Sequence, residues 1–273
     1  MPEGPEIRLA ADRIAKVLEG QVVESVEFAF PELKPFESKL QGQVVRRVDT
    51  RGKAMLTRFE NDLTIYSHNQ LYGRWYTSRR GELPRTNRSL RVALHTAERS
   101  ALLYSASDVD VLDAEGLSSH PFLNRLGPDL LDPDLEAAEL AERLQSKPFR
   151  GRSLASLLLD QSFLAGLGNY LRSEILFCAG VDPLRRPREL DGDRCLSLAE
   201  ASLALGWRSY RTRGVTLDKA QRDRLEESGR KGARRNRFWV FARAGQPCYR
   251  CGTSILKEVR GSRRIYRCPA CQQ

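Results

Sequence analysis

The spacing of apolar residues changes along the chain and predicts where one type of element gives way to another. Between Pro5 and Glu19 apolar residues recur at every third or fourth position and Gly20 follows, which predicts an amphipathic helix. Up to about Leu112 the pattern then consists of short β-rich runs. The predicted strands are Val22–Phe30, Val44–Asp49, Ala54–Phe59, Leu63–His68, Tyr72–Thr77, Leu90–Thr96, Ala101–Ser105 and Val109–Leu112. Because close turns and no helices separate these runs, they predict an antiparallel β-sandwich.

The second half of the chain has a helical period. Three prolines in Gly116–Pro133 predict an interdomain connection before it. The predicted helices are Leu135–Leu144, Ser153–Asp160, Leu167–Ala179 and Asp193–Leu205. The strongly charged segment 218–237 predicts an exposed, mobile loop. We therefore expect a multidomain α+β protein, and its predicted parts are residues 1–115, 116–133, 134–238 and 239–273.

Composition agrees with a globular protein of about two domains. The chain has 273 residues, of which 41% are hydrophobic and 29% are charged. No apolar run approaches the roughly 18 residues of a membrane-spanning helix. The first six residues contain no apolar signal core, so secretion is not expected.

The net charge of +10 is concentrated at the C-terminal end. Residues 207–273 hold 18 Lys and Arg against 5 Asp and Glu, whereas the rest of the chain holds 27 against 30. A basic region on a near-neutral body favours a polyanion partner. Nucleic acid is favoured most, because Lys and Arg gain affinity by neutralising its phosphates. A solvated basic surface is the alternative.

Four of the six cysteines form two closely spaced pairs. The pattern is Cys248-x2-Cys251-x16-Cys268-x2-Cys271. Each pair presents two thiolates to one ion, and four sulfur ligands suit tetrahedral Zn²⁺ with no position left for catalysis. Two disulfides are the alternative and do not suit a reducing compartment. Between the pairs, Ser254–Val259 and Ile265–Arg267 predict a β-hairpin.

The N-terminal residues offer a nucleophile. Removal of Met1 before the small residue Pro2 would expose a secondary amine. The pKa of an α-amino group is about 7.7–8.0, far below that of lysine, so a useful fraction of it is neutral at physiological pH and able to form an iminium with a sugar carbon. Glu3 and Glu6 lie beside it and are able to transfer protons. Entry into a helix also explains Pro5 and the acidic residues.

The two ends of the chain together resemble one family. Met-Pro-Glu-Gly-Pro-Glu at residues 1–6, with a four-cysteine module that ends Cys268-Pro-Ala-Cys271-Gln272, is similar to the formamidopyrimidine-DNA glycosylase/endonuclease VIII family over essentially the whole chain. The resemblance implies an N-terminal β-sandwich, a helix–two-turns–helix domain and a C-terminal zinc finger. It also implies a base-excision repair enzyme that removes oxidised bases from DNA and then cuts the strand.

The resemblance assigns roles to residues of the N-terminal half. Pro2 matches the nucleophile that attacks C1′ of the damaged nucleotide, and Glu3 matches its acid/base. Glu6 matches a supporting carboxylate. Lys53 matches a lysine near the 5′ phosphate that assists β-elimination, although a turn lysine between two strands is the local alternative. Arg125 matches an arginine that contacts DNA.

Two further matches lie in the C-terminal half. Asn169, in Gly-Leu-Gly-Asn-Tyr, matches a phosphate-binding asparagine at a glycine-rich helix start, where free backbone N–H groups favour an anion. Arg263 lies five residues before Cys268, as the finger arginine does; this residue contacts phosphate and supports δ-elimination. Arg264 is adjacent, so the assignment is ambiguous by one residue.

The lesion class follows from the residues that would fill the space left by a flipped base. Gln70, Leu71 and Tyr72 together resemble the wedge of endonuclease VIII proteins, although Leu71 and Tyr72 also suit a sandwich core. The 8-oxoguanine branch usually has a methionine near this position, but the chain contains only Met1 and Met55. These features favour oxidised pyrimidines such as thymine glycol. Residues 218–237 lie where the other branch has a lesion-capping loop, which keeps 8-oxoguanine or formamidopyrimidine as alternatives.

The resemblance also implies the setting of the protein. Its partner would be damaged double-stranded DNA, with one structural Zn²⁺, no small-molecule cofactor and no membrane. We expect a monomer in the bacterial cytoplasm, associated with the nucleoid through DNA. A non-catalytic zinc-containing nucleic-acid-binding protein is the alternative from another functional class, and it has no need for Pro2 beside Glu3.

Overall fold

A computed structural model describes residues 2–229, 236–260 and 262–273. The chain divides into two compact units, Met1–Arg125 and Leu126–Gln273. Within the described ranges, none of the helices combines the length and the apolar character needed to cross a membrane.

The first unit begins with helix α1 (Gly4–Leu18), close to the predicted bounds. Its strands are β1 (Ser25–Phe28), β2 (Val45–Arg51), β3 (Ala54–Phe59), β4 (Thr64–His68), β5 (Arg74–Arg79), β6 (Leu90–His95), β7 (Arg99–Tyr104) and β8 (Asp108–Leu112). A 3-10 helix (Pro31–Phe36) leads into the short α2 (Glu37–Leu40).

Two antiparallel sheets make up the sandwich, in the orders β1-β6-β7-β5 and β2-β3-β4-β8. Both sheets and α1 contribute to one buried core, which includes Ile14, Phe28, Met55, Phe59, Ile65 and Leu103. The predicted β-sandwich is therefore confirmed. The largest difference is β1, which is shorter than the predicted Val22–Phe30.

The segment Gly116–Pro133 is more regular than an interdomain connection suggests. Helix α3 (Ala114–Ser119) runs into it and α4 (Pro121–Asn124) lies within it. Leu117, Phe122 and Leu123 pack against Ala54, Leu56 and Tyr66 on β3 and β4. These contacts bury apolar side chains on the outer face of that sheet, which accounts for helix formation despite the prolines.

The second unit combines helices with a β-hairpin. Its helices are α5 (Ala137–Gln145), α6 (Leu154–Leu157), α7 (Asn169–Cys178), α8 (Gly192–Arg211) and α9 (Lys219–Glu227). Two turns, at residues 158–159 and 161–163, separate α6 from α7, which confirms the helix–two-turns–helix arrangement. Strands β9 (Leu256–Arg260) and β10 (Arg263–Arg267) pair antiparallel and confirm the predicted hairpin.

The expectation of a mobile loop over 218–237 is wrong for its first half, which forms α9. The Asp218 carboxylate accepts the Gln221 backbone N–H (2.7 Å) and caps the helix. Leu225 is buried, and Lys219 pairs with Asp223 one turn later. Residues 230–235 lie outside the described residues.

Glu174 is a fully buried carboxylate in α7 that fastens a later part of the chain. Its Oε1 accepts the backbone N–H groups of Val240 and Phe241, both at 2.8 Å. Its Oε2 accepts the Trp239 N–H (2.7 Å) and the Thr216 hydroxyl. One side chain therefore satisfies three backbone donors that no helix or strand serves.

We predict that Glu174→Ala lowers the free energy of unfolding by about 3 kcal/mol or more, because it leaves those buried N–H groups without acceptors. Urea denaturation of the zinc-loaded chain measures the change. Glu226→Ala on the exposed side of α9 is the control and should change it by less than about 0.5 kcal/mol. Equal stability of the two variants would contradict this role of Glu174.

Candidate active site and metal centre

The N-terminal residues are held at the start of α1. Glu6 Oε2 accepts the backbone N–H of Glu3 at 3.0 Å, and the Glu3 side chain is buried. Pro5 lies in the first turn of the helix, as the helix-entry interpretation predicts. Pro2, half-buried, directly precedes this anchored residue. The same acidic residues that begin the helix therefore fix the backbone next to the candidate nucleophile.

Lys53 lies in a tight turn of two residues. Arg51 and Ala54 are the last paired residues of β2 and β3, so Gly52 and Lys53 alone connect the strands. Gly52 has φ +60°, a left-handed conformation that glycine adopts without strain. The sandwich thus presents Lys53 at a short, well-defined tip.

The candidate wedge, residues Gln70, Leu71 and Tyr72, lies in the turn between β4 and β5 of the same unit. The Gly73 N–H donates to the Asn69 carbonyl at 2.7 Å and closes the turn. A Cβ at Gly73 would lie 2.6 Å from that carbonyl oxygen, so the turn requires glycine. Leu71 and Tyr72 are 53% and 65% exposed. Their assignment to the sandwich core is therefore wrong, and the turn presents both side chains to solvent.

His68, which the sequence did not single out, supports this tip. Its Nδ1 accepts the backbone N–H of Gln70 at 3.1 Å, and Gln70 has φ +46°. Burial lowers the pKa of His68, and the charges of Lys53 and Arg125 lower it further against the opposing effect of Asp108. The neutral ring keeps its acceptor lone pair at neutral pH, which the Gln70 hydrogen bond requires.

An aromatic contact links His68 to Arg125. The His68 ring lies edge-on to Phe122, with centroids 5.0 Å apart. The Arg125 guanidinium lies over the same Phe122 ring at 5.3 Å and is exposed. In the first unit, Phe122 therefore contacts both Arg125 and His68, the residue that supports the wedge.

In the second unit a buried arginine, also missed from the sequence, joins α7 to the finger. Arg172 is 1% exposed, and its Nη2 donates to Asn169 Oδ1 (2.7 Å) and to the Arg264 carbonyl (2.9 Å). Its Nη1 donates to the Ala155 carbonyl at 2.7 Å. Because Arg172 occupies the Asn169 oxygen, the Asn169 amide nitrogen remains as the donor for an anion. The sequence did contain a signal for this role, because Arg172 is a charged residue within the apolar run of α7.

Both candidate finger arginines lie at the tip of the hairpin. Arg263 is paired with Arg260 at the end of the β9–β10 register, and Arg263 and Arg264 are exposed. Neighbouring residues of a strand point to opposite faces, so only one of the two side chains shares a face with a given ligand. Gly261, which lies between the two predicted strands, is outside the described residues.

The four C-terminal cysteines form a candidate metal centre. The Sγ atoms of Cys248, Cys251, Cys268 and Cys271 all lie within 4.8 Å of one another. Two of the separations are 3.9 Å and 3.4 Å, near the roughly 3.8 Å edge of a tetrahedron with Zn–S bonds of about 2.3 Å. Disulfides would require about 2.05 Å, so that alternative is wrong. The cluster is suited to a tetrahedral metal ion.

Two family models match most of the chain. Residues 1–107 match the formamidopyrimidine-DNA glycosylase N-terminal domain, and residues 126–209 match the formamidopyrimidine-DNA glycosylase H2TH domain. Among curated relatives, Endonuclease 8 of Escherichia coli (strain K12 / DH10B) is 52% identical over 272 residues and all of both chains. Endonuclease 8 of Shigella sonnei (strain Ss046) is 51% identical over the same span.

Solved structures share the fold. Lactococcus lactis formamidopyrimidine DNA glycosylase, bound non-covalently to DNA with an AP site, superposes with a TM-score of 0.81 at 20% identity over 99% of each chain. MutM in complex with DNA containing carbocyclic 8-oxo-G gives a TM-score of 0.81 at 22% identity over 100% of each chain. Because the two family models match most of the chain and a relative is 52% identical over its full length, the chain belongs to the formamidopyrimidine-DNA glycosylase/endonuclease VIII family. The members of this family are base-excision repair DNA glycosylases with AP lyase activity.

Proposed function

We propose that this glycosylase and AP lyase removes oxidised pyrimidines of the thymine glycol type from damaged double-stranded DNA. The exposed wedge carries the proposal: a closed turn presents Leu71 and Tyr72 to solvent. These side chains fill the space in the base stack when the damaged nucleotide is everted.

Catalysis begins at the amino group of Pro2 after Met1 is removed. The Pro2 nitrogen attacks C1′, the N-glycosidic bond breaks, and the base leaves with a proton supplied by Glu3. Glu3 then takes the proton from the Pro2 nitrogen and delivers it to O4′, and the C1′–O4′ bond opens to give the iminium. The iminium makes the C2′ proton acidic, and loss of that proton expels the 3′ phosphate by β-elimination. Loss of the C4′ proton then expels the 5′ phosphate by δ-elimination. Water hydrolyses the remaining iminium, so the products are a one-nucleotide gap with phosphate ends and the released sugar remnant.

The other residues bind and orient the substrate. Lys53 contacts the 5′ phosphate and assists β-elimination, and Glu6 holds the Glu3 backbone in place. Asn169 and Arg263 bind phosphates around the everted nucleotide, while Gln70 and Arg125 contact DNA near the wedge. The chain acts as a monomer on the bacterial nucleoid.

We propose that residues 1–115, 116–133, 134–238 and 239–273 are the catalytic sandwich, linker, helix–two-turns–helix domain and zinc finger. The four cysteines hold one structural Zn²⁺. With no coordination position left open, this ion supplies folding energy to the finger and no Lewis-acid chemistry.

We predict that borohydride traps the chain on thymine glycol duplexes at least about tenfold faster than on 8-oxoguanine duplexes, because lesion fit controls base excision. Borohydride reduces the iminium to a stable amine, and gel electrophoresis measures the adduct. The mass of the purified chain checks that Met1 is absent, and an unmodified duplex is the control. Equal or reversed trapping would assign the 8-oxoguanine branch. No adduct with either lesion or with an abasic site would indicate a non-catalytic binder.

We predict that Arg263→Ala weakens binding to a duplex with a tetrahydrofuran abasic analogue. Loss of one phosphate contact should reduce the slope of log affinity against log salt by about 1. Arg264→Ala, measured beside it, decides which arginine makes that contact. Zinc content should be unchanged in both variants, since neither side chain is a ligand; loss of zinc would contradict the assigned role.

We predict that insertion of the wedge weakens as pH falls below 6.5, the ordinary pKa of histidine. The pKa of His68 is lowered, so its hydrogen bond to Gln70 persists above 6.5 and is lost as pH falls through the lowered value. Fluorescence of 2-aminopurine opposite a tetrahydrofuran analogue reports insertion. His68→Asn should remove the pH response and His95→Asn should retain it. An unchanged response in His68→Asn would contradict this role.

A further inference from the structure

A cavity of about 520 Å³ lies within the second unit, outside all the residues assigned to DNA or metal. Its walls come from α9 (Asp218, Gln221 and Arg224), from Trp239, and from the turn between the first two cysteines (Tyr249 and Arg250). Pockets of about 300–1,000 Å³ are the usual size for binding small molecules or anchoring side chains.

Trp239 forms part of the wall of the cavity. It is 6% exposed, and its indole N–H is buried with no hydrogen-bond partner among the residues that the structure describes. Because this N–H is closed to solvent, the groups that a ligand in the cavity can reach are the exposed side chains of the other walls. The Trp239 indole lies beside them and reports on their occupancy.

The charge around the cavity favours an anion. Arg224 and Arg250 both line the cavity and are exposed. The Asp218 carboxylate also lines it but already accepts the Gln221 N–H at the start of α9. That carboxylate occupies the helix terminus, so the anion would have to be held by the two arginines.

The aromatic rings of the cavity already contact other side chains. The Trp239 ring packs against Phe177, with centroids 5.6 Å apart, and the Arg250 guanidinium lies over it at 5.1 Å. The Tyr249 ring has the Arg243 guanidinium 3.3 Å from its centroid. Arg224 and Arg250 are therefore the exposed groups that the cavity offers to a ligand, and guanidinium groups suit a carboxylate.

The cavity also lies away from Asn169, one of the two proposed DNA-phosphate residues of this unit. Asn169 is the first residue of α7, whereas Arg250 lies over the Phe177 ring and donates weakly to the Phe177 carbonyl (3.4 Å) near the end of that helix. Eight residues of helix separate the two positions by about 12 Å.

We infer that this cavity binds an acidic segment of a partner protein. One Asp or Glu carboxylate of the segment pairs with Arg224 or Arg250 beside Trp239. Trp, Tyr and Arg are the residues that most often dominate the binding energy of protein interfaces. The net charge of +13 over residues 207–273 complements further acidic residues of the segment.

The test follows the indole N–H signals of the ¹⁵N-labelled, zinc-loaded full chain, which has three tryptophans. Trp239→Phe identifies the Trp239 signal by its loss. The probe is acetylated, amidated hexa-aspartate, with hexa-asparagine as the neutral control. Trp75, whose indole N–H is likewise buried without a partner among the described residues, and Trp207, which lies under Arg211, are internal controls.

We predict that hexa-aspartate shifts the Trp239 signal saturably and leaves the Trp75 and Trp207 signals in place. Arg224→Gln, at an exposed position that should not disturb folding, weakens binding about tenfold, as expected for the loss of a charged contact. The shift should persist when a tetrahydrofuran duplex is bound.

Three results would overturn the inference. One is a failure of the peptide to shift Trp239, or an equal effect of hexa-asparagine. Another is a Trp239 shift produced by the duplex itself, which would assign the cavity to DNA. The third is saturation by inorganic phosphate at the same concentration as the peptide, which would reduce the site to a simple anion site.

Discussion

Two charges buried in α7 hold the second unit together. Arg172 joins Asn169 at the start of the helix to Ala155 and to the backbone of the finger strand at Arg264. Two residues later, Glu174 accepts three backbone N–H groups of residues 239–241. Buried charges are tolerated only when hydrogen bonds replace the lost water, so each side chain requires its distant partners to be in place. The candidate DNA contacts of this unit depend on that arrangement.

In the first unit, strands rather than buried charges position the candidate DNA-contacting residues. Tight turns at the ends of paired strands carry Lys53 and the wedge, and the β-ladders fix where these turns begin. His68 and Phe122 then connect the wedge to Arg125 through one hydrogen bond and two ring contacts. Side chains on short turns between rigid strands lose little conformational entropy when a ligand binds, which suits these candidate residues to binding.

Several elements show which parts of the secondary structure the local sequence predicts. The strands β3 and β4 and the helix α1 lie where their apolar periods predict, since each buries one face in the same core. Helix α9 was missed because its sequence is mostly charged; its cap at Asp218 and the single buried Leu225 outweigh the polar composition. Helices α3 and α4 were missed because prolines suggested a connection, whereas contacts with a sheet distant in sequence bury their apolar residues.

The candidate chemistry was visible in the sequence, because residue type and spacing identify the four cysteines and the family resemblance assigns roles to Pro2 and Glu3. The exposure of Leu71 and Tyr72, the support from His68 and the bridging by Arg172 were decided only by the tertiary structure. Each of these depends on which distant residues surround a side chain, and no local period records that. The sequence therefore determined which candidate chemical groups the chain contains. The packing of distant segments decided which of these side chains are exposed and which are held by hydrogen bonds.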